Sequence, residues 1–350
     1  MSMFTSILDL QYITTQVLAL CQIPSPSGNV GQAMTYLAGE LDKLGVTHAF
    51  GSKGTLLASL PGVDSSVHRT VTAHVDTLGA MVKEIKSNGR LVLTQIGGYN
   101  WQSVEGELCL VETMGGQTYT GTLLNTHASA HVFADHAQQE RKAENMELRL
   151  DERAADAEAV RSLGIEVGDF VSFAAGTRLT SSGFINSRHL DDKASVAILL
   201  GVIKAIQRNE LTLPYQVNFI FSNNEELGYG GNSSITPQTK EYLAVDMGAI
   251  GEGQATDEFC VSICAKDSSG PYNYELRKRL VNLAQAHGIY YRIDTYPHYG
   301  SDAGAALRAG HDIMHGLIGP GIDASHSHER THQEALDNTA RLLMYYLLAN

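Results

Sequence analysis

Val217-Asn218-Phe219-Ile220-Phe221-Ser222-Asn223-Asn224-Glu225-Glu226-Leu227-Gly228 is an apolar run that ends in two acids and a glycine. The run is apolar enough to be a buried strand, and the glycine turn bounds it. Two adjacent carboxylates at the end of such a strand repel each other strongly where the dielectric is low, so a cation is expected to compensate them. A solvated turn with two exposed acids is the plainer alternative. On the first reading Glu226 binds a metal, and Glu225 stays free to take a proton from a water that the metal has acidified.

Working outward, Lys193–Gln207 reads as an apolar helix, Ala244–Ile250 and Ile313–Gly319 as strands, and Tyr272–His287 and Gln333–Leu348 as helices. Upstream, residues 6–20 have helical spacing, Pro24-Ser25-Pro26-Ser27-Gly28 breaks that helix, and a second helix from about Val30 stops at Gly45. Thr55–Leu60 and Thr70–Val75 are short strands around Pro61-Gly62. Between Leu78 and Phe173 the texture changes to short glycine-punctuated strands, Arg90–Ile96, Leu108–Glu112 and Thr118–Leu124. The charged stretch Gln138–Arg161 inside this part reads as an exposed loop leading into a short helix. The predicted fold class is therefore α/β, a mixed sheet with helices on both faces, interrupted by a small β-rich, barrel-like insertion. The corresponding divisions are residues 1–77 and 176–350 for the α/β part and 78–175 for the insertion.

Composition narrows the function classes. The chain has 350 residues, enough for two cores, and a formal net charge of -13, which speaks against nucleic acid or an anionic membrane as partner. No stretch reaches the length of a membrane span and Met1–Leu20 lacks the features of a signal peptide, so a cytoplasmic location is expected. Cys21, Cys109, Cys260 and Cys264 are too few for a disulfide scaffold, and Cys260 with Cys264 reads as part of a buried strand rather than a metal clip.

Four further segments could carry chemistry beside Glu225 and Glu226. In Ala73-His74-Val75-Asp76-Thr77, residues two apart share a strand face. His74 can bind a metal while Asp76 holds the other imidazole nitrogen. In His189-Leu190-Asp191-Asp192-Lys193 a single Asp is an ordinary N-cap, but two adjacent ones suggest a carboxylate bridging two cations. Asp191 is the first choice and Asp192 the second. Asp246 lies in a buried strand and must meet a cation or a donor network. His326, His328 and His332 crowd one segment, of which one need be a ligand. The set His74, Asp191, Glu226, Asp246 and His326 suits two zinc-like ions, each with three protein ligands and an open position. Zinc, cobalt and manganese all accept this mixture, zinc or cobalt being the expected pair. His127, His131 and His136 read as ordinary histidines of the insertion.

As an ordered set, H-x-D, D-D, E-E, V-D and H-S resemble the tetrahedral (TET-type) aminopeptidases, which include glutamyl and deblocking aminopeptidases. Ala73–Val82 resembles that family's first metal motif, Leu163–Val171 its exit from the inserted domain, and Ser301-Asp302-Ala303-Gly304-Ala305 its late glycine-rich turn. The resemblance implies the same five metal ligands, Glu225 as general base, and a hollow homo-oligomer, commonly a dodecamer. Lys193 stands where that family often has Arg. The chain also looks like a bacterial subgroup associated with the osmoprotectant N-acetylglutaminylglutamine amide, which would make a small blocked dipeptide the substrate. The expected activity is removal of N-terminal residues from peptides by a hydroxide bridging two metals. An acylated amino acid or dipeptide amide as substrate, and a non-catalytic metal-binding assembly protein, are the alternatives.

Overall fold

The computed structural model describes residues 7–350. In chain order the α/β part begins with α1 (Leu10–Cys21), α2 (Gly31–Lys43), β1 (His48–Phe50), β2 (Leu56–Leu60) and β3 (Gly62–His74). The first residue of the expected helix over 6–20 lies outside the described residues. Asp9 caps α1 by accepting the Tyr12 N–H, and Gly45, at φ +69°, ends the segment after α2.

Six antiparallel strands then close a barrel: β4 (Gly79–Ile85), β5 (Leu91–Ile96), β6 (Leu108–Glu112), β7 (Thr118–Asn125), β8 (Met146–Leu150) and, after the short α3 (Ala157–Ser162), β9 (Phe170–Phe173). Strand β8 corrects the expectation of a loop across Gln138–Arg161. Met146, Leu148 and Leu150 belong to the barrel core, while Arg149 is exposed and Glu147 is buried in an ion pair with Lys86, so charges interrupt the apolar alternation. His127, His131 and His136 lie on the turns before β8; the His127 ring stacks on Phe133 at 4.3 Å.

The chain re-enters the α/β part through β10 (Arg178–Leu179), β11 (Phe184–Ser187), α4 (Leu190–Arg208), β12 (Leu213–Ser222), β13 (Thr239–Val245), β14 (Gly248–Ala249), β15 (Val261–Asp267) and β16 (Gly270–Pro271). It finishes with α5 (Tyr274–Ala286), β17 (Tyr291–Thr295), α6 (Asp302–Arg308), β18 (Met314–Ile322), β19 (Glu329–His332) and α7 (Gln333–Leu348). The large sheet runs β1-β2-β12-β3-β13-β18-β15-β16, and β12, β3, β13 and β18 are mutually parallel. Phe219, Phe221, Leu243 and Val245 face one core, with α1, α2, α4, α5 and α7. Ile220, Tyr242 and Ala244 face the other, with α6. Alternation along β12 and β13 thus places helices on both faces of a mixed sheet. The four cysteines are free and buried, and burial pushes the Cys260 and Cys264 thiols up to about 12. No helix among the described residues is long and apolar enough to cross a membrane.

Candidate metal centre

Because β12, β3, β13 and β18 are parallel neighbours, their carboxyl ends open on one edge of the sheet. His74 is the last residue of β3, Glu225 and Glu226 follow β12, Asp246 follows β13, and His326 lies between β18 and β19. Asp191 arrives at the same edge from the start of α4, where Asp191 and Asp192 depart from helical geometry. Close approach is needed here: a Cβ on Gly319 of β18 would lie 1.7 Å from the Asp246 carbonyl oxygen.

Ligand-capable atoms of His74, Asp191 and Asp246 lie within 4.8 Å of one another, and so do those of Asp191, Glu226 and His326. The two groups share Asp191. His74 Nε2 is 3.1 Å from Asp191 Oδ1, and His326 Nε2 is 3.5 Å from Asp191 Oδ2 and 3.6 Å from Glu226 Oε2. Glu225 belongs to neither trio, yet its Oε2 stands 3.7 Å from His74 Nε2. Asp192, the second choice for the shared position, faces elsewhere: its Oδ2 accepts the His74 backbone N–H at 3.2 Å. His328 packs against Gly176, and His332 lies 2.8 Å by Nε2 from the Ser182 carbonyl, so neither joins the cluster.

Asp76 departs from the expected arrangement. His74 Nδ1 meets the Asp76 carbonyl oxygen at 2.9 Å, while the Asp76 carboxylate stays 3.5 Å from that nitrogen. The carboxylate instead accepts from Ser27 Oγ at 2.5 Å and from the backbone N–H groups of Glu225 at 3.1 Å and Glu226 at 3.3 Å. It fixes the turn that carries both glutamates. Either way the Nδ1 of His74 is engaged by Asp76, which directs its Nε2 toward the cluster.

Burial, followed by the charge of Asp191, pushes Asp246 up to about 7. Burial raises Glu226 to about 8, with the charge of His326 opposing. Glu225 is held well above the usual range, first by burial, with His74 opposing and Asp246 and Asp302 adding to it. Burial, the largest single influence, lowers His74 and His326, but hydrogen bonds to Asp191 together with the surrounding carboxylate charges outweigh it and carry His326 up to about 10. The only ion-pair partners of Asp191, Glu225 and Glu226 among the described residues are histidines, and Glu226 Oε1 is buried without a hydrogen-bond partner. Imidazole and carboxylate donors in overlapping trios, with more buried carboxyl groups than cationic partners and an orphaned oxygen, fit divalent cations. A cavity of about 970 Å³ opens over this edge, lined by Asp191, Glu225, Glu226, Asp246 and His326 together with Tyr299.

Two supporting residues escaped the reading of the sequence. Glu329 is 2% exposed; its Oε2 accepts the Asp191 N–H at 3.1 Å and its Oε1 the His326 N–H at 3.2 Å. Asp302, from the glycine-rich turn, accepts from Thr72 Oγ1 at 3.2 Å and from Ser222 Oγ, behind the Glu225 turn. The signal for Glu329 is the alternation in β19, where Glu329 and Thr331 point inward and Arg330 outward.

Residues 54–342 match the M42 glutamyl aminopeptidase family. The chain is 59% identical to the protein YhfE of Bacillus subtilis (strain 168) over 328 residues, 94% of this chain and 95% of that one. It is 26% identical over 240 residues to the glutamyl aminopeptidase of Lactococcus lactis subsp. cremoris (strain MG1363), covering 66% of this chain and 65% of that protein. In fold it is similar to a TET aminopeptidase from Thaumarchaeota archaeon SCGC AB-539-E09, with a TM-score of 0.87 at 17% identity over 96% of each chain. The TET1 peptidase of Pyrococcus horikoshii, which can assemble into a tetrahedron or a large octahedral shell, superposes with a TM-score of 0.85 at 21% identity, over 97% of this chain and 100% of that one.

Proposed function

Since the chain belongs to the M42 glutamyl aminopeptidase family and is an aminopeptidase, we propose that it removes N-terminal residues from small peptides with two divalent cations at the sheet edge and Glu225 as general base. The observation that carries this reading is the pair of ligand trios sharing Asp191, with Glu225 beside them and outside both. His74, Asp191 and Asp246 would hold one cation, and Asp191, Glu226 and His326 the other. Two bound cations supply Lewis acidity, which acidifies a water and polarises the scissile carbonyl. Zinc or cobalt suits these donors.

The residues divide the remaining work. Glu225 takes the proton from the attacking water and returns it to the leaving amine. Asp76 holds the Glu225 and Glu226 backbone in place, so that one acid is free while its neighbour is committed. A metal-storage protein has no use for that spare acid. The cavity of about 970 Å³ has room for a short peptide or a blocked dipeptide, and a homo-oligomer is part of the same proposal, to be read by sedimentation velocity.

Glu225→Gln tests the assignment. The variant is expected to keep two equivalents of metal and to lose about 10²–10⁴-fold in kcat on a panel of peptides and acyl-dipeptide amides. Near-normal turnover would remove Glu225 from the chemistry, and loss of the metal would make it a ligand.

A further inference from the structure

The two trios are not supported alike. His74 sits at the end of an interior strand between two parallel neighbours, and Asp246 follows the next strand, so the sheet sets both. His326 lies in a loop whose backbone is in the left-handed region at two non-glycine residues, Ala324 at φ +57° and His326 at φ +62°. Residues with a Cβ adopt that region only where their surroundings over-determine it.

Much of what holds this loop comes from the barrel. The His326 Nδ1 meets the carbonyl oxygen of Gly98, just beyond β5, which leaves Nε2 for a metal. Ser103, in the same β5–β6 connection, donates from its Oγ to the His326 carbonyl at 3.4 Å. Arg188, 7% exposed, ties the pieces together: its Nη1 donates to the Ser327 carbonyl at 3.1 Å and its Nη2 to the Ser103 carbonyl. Its Nε donates to Glu107 Oε2, next to β6, at 2.6 Å. The planar guanidinium thus joins three residues of two segments, the β5–β6 connection and the His326 loop, in fixed directions, which an ammonium cannot do.

We propose that Arg188 is a positioning residue that clamps the His326 loop against the barrel, so that the barrel sets occupancy of the metal position shared by Asp191, Glu226 and His326. The position built from His74, Asp191 and Asp246 takes two of its ligands, His74 and Asp246, from strand ends that Arg188 does not contact. The proposal rests on the dinuclear reading above.

Zinc binding to chelator-stripped full-length protein, followed by equilibrium dialysis and elemental analysis, tests it. Wild type binds two equivalents; Arg188→Met retains the first with unchanged affinity and binds the second at least about tenfold more weakly. Glu107→Ala, made on the barrel side at a partly exposed position, weakens the second equivalent a few-fold, and it decides the matter if Arg188→Met does not fold. Fewer than two equivalents in wild type overturns the dinuclear reading and this proposal with it. Two equivalents in wild type, with the second unaffected in the variants or with both weakened equally, overturns the clamp alone.

Discussion

Asp76 shows how a single carboxylate can be more demanding than its motif suggests. Three donors converge on it, Ser27 Oγ and the N–H groups of Glu225 and Glu226, and it is fully buried. An amide in its place keeps one acceptor but turns an NH₂ toward a backbone donor, leaving a buried N–H unpaired. Hydrogen bonds to a charged acceptor contribute about 1.5–3 kcal/mol each. Asp76→Asn is therefore expected to lower kcat by about 10–100-fold while most of the metal remains, measured by steady-state kinetics and elemental analysis; unaltered kcat would show that the turn holds without this charge. That His74 and Asp76 act together was legible in the H-x-D spacing. Which atoms of Asp76 do what was not, because the strand stops at His74 and the chain beyond it no longer alternates. The choice between Asp191 and Asp192 was equally hidden: adjacent residues of one type differ only in the direction a non-helical turn gives them. Glu329 went unread for another reason, since an acid among histidines looks like surface until its strand neighbours show which way it points.

At the level of elements, legibility followed contrast. The parallel strands β12, β3 and β13 end in continuous buried runs, apolar in β12 and β13 and threonine-rich in β3, and the charged side chains at their ends stand out. Helix α4 announced itself in the same way. Strand β8 has the opposite character: five residues, two of them charged, embedded in a polar stretch, yet it pairs with β5 and β7 and completes the barrel. Strand β17 was missed as an edge strand, with four of its five residues at least partly exposed. The barrel assignment of β8 makes a contrast that a loop would not. Leu148 is 0% exposed, so Leu148→Ala should cost about 2–5 kcal/mol by emptying a packed site. Arg149→Ala, on the outer face of the same strand, should change stability by no more than about 0.5 kcal/mol. Urea unfolding of the two variants would read the difference, and equal small effects would return this segment to loop.

For the whole molecule, the collection of acids at one sheet edge makes stability depend on pH and metal together. In the metal-free protein Glu226 keeps its proton to about 8 and Asp246 to about 7, each chiefly because of burial. In the unfolded chain these groups ionise in the ordinary carboxylate range, around pH 4. Between pH 5 and pH 8 the native metal-free state thus binds more protons than the unfolded state, and the linkage relation makes its stability fall as pH rises. Asp191 runs the other way, because hydrogen bonds to His326 and His74 and the charges of those rings together overcome its burial, but its contribution changes only as pH falls into the ordinary carboxylate range and below. Each proton held by the native state alone corresponds to a slope of about 1.4 kcal/mol per pH unit. Cations displace these protons, so metal binding strengthens with pH and the loaded protein escapes the loss. Urea midpoints of chelator-stripped and zinc-loaded protein should diverge steadily from pH 5 to pH 8, the stripped midpoint falling. A stripped midpoint that rose or stayed level would mean that the acids at the sheet edge ionise in the folded chain as they do in water.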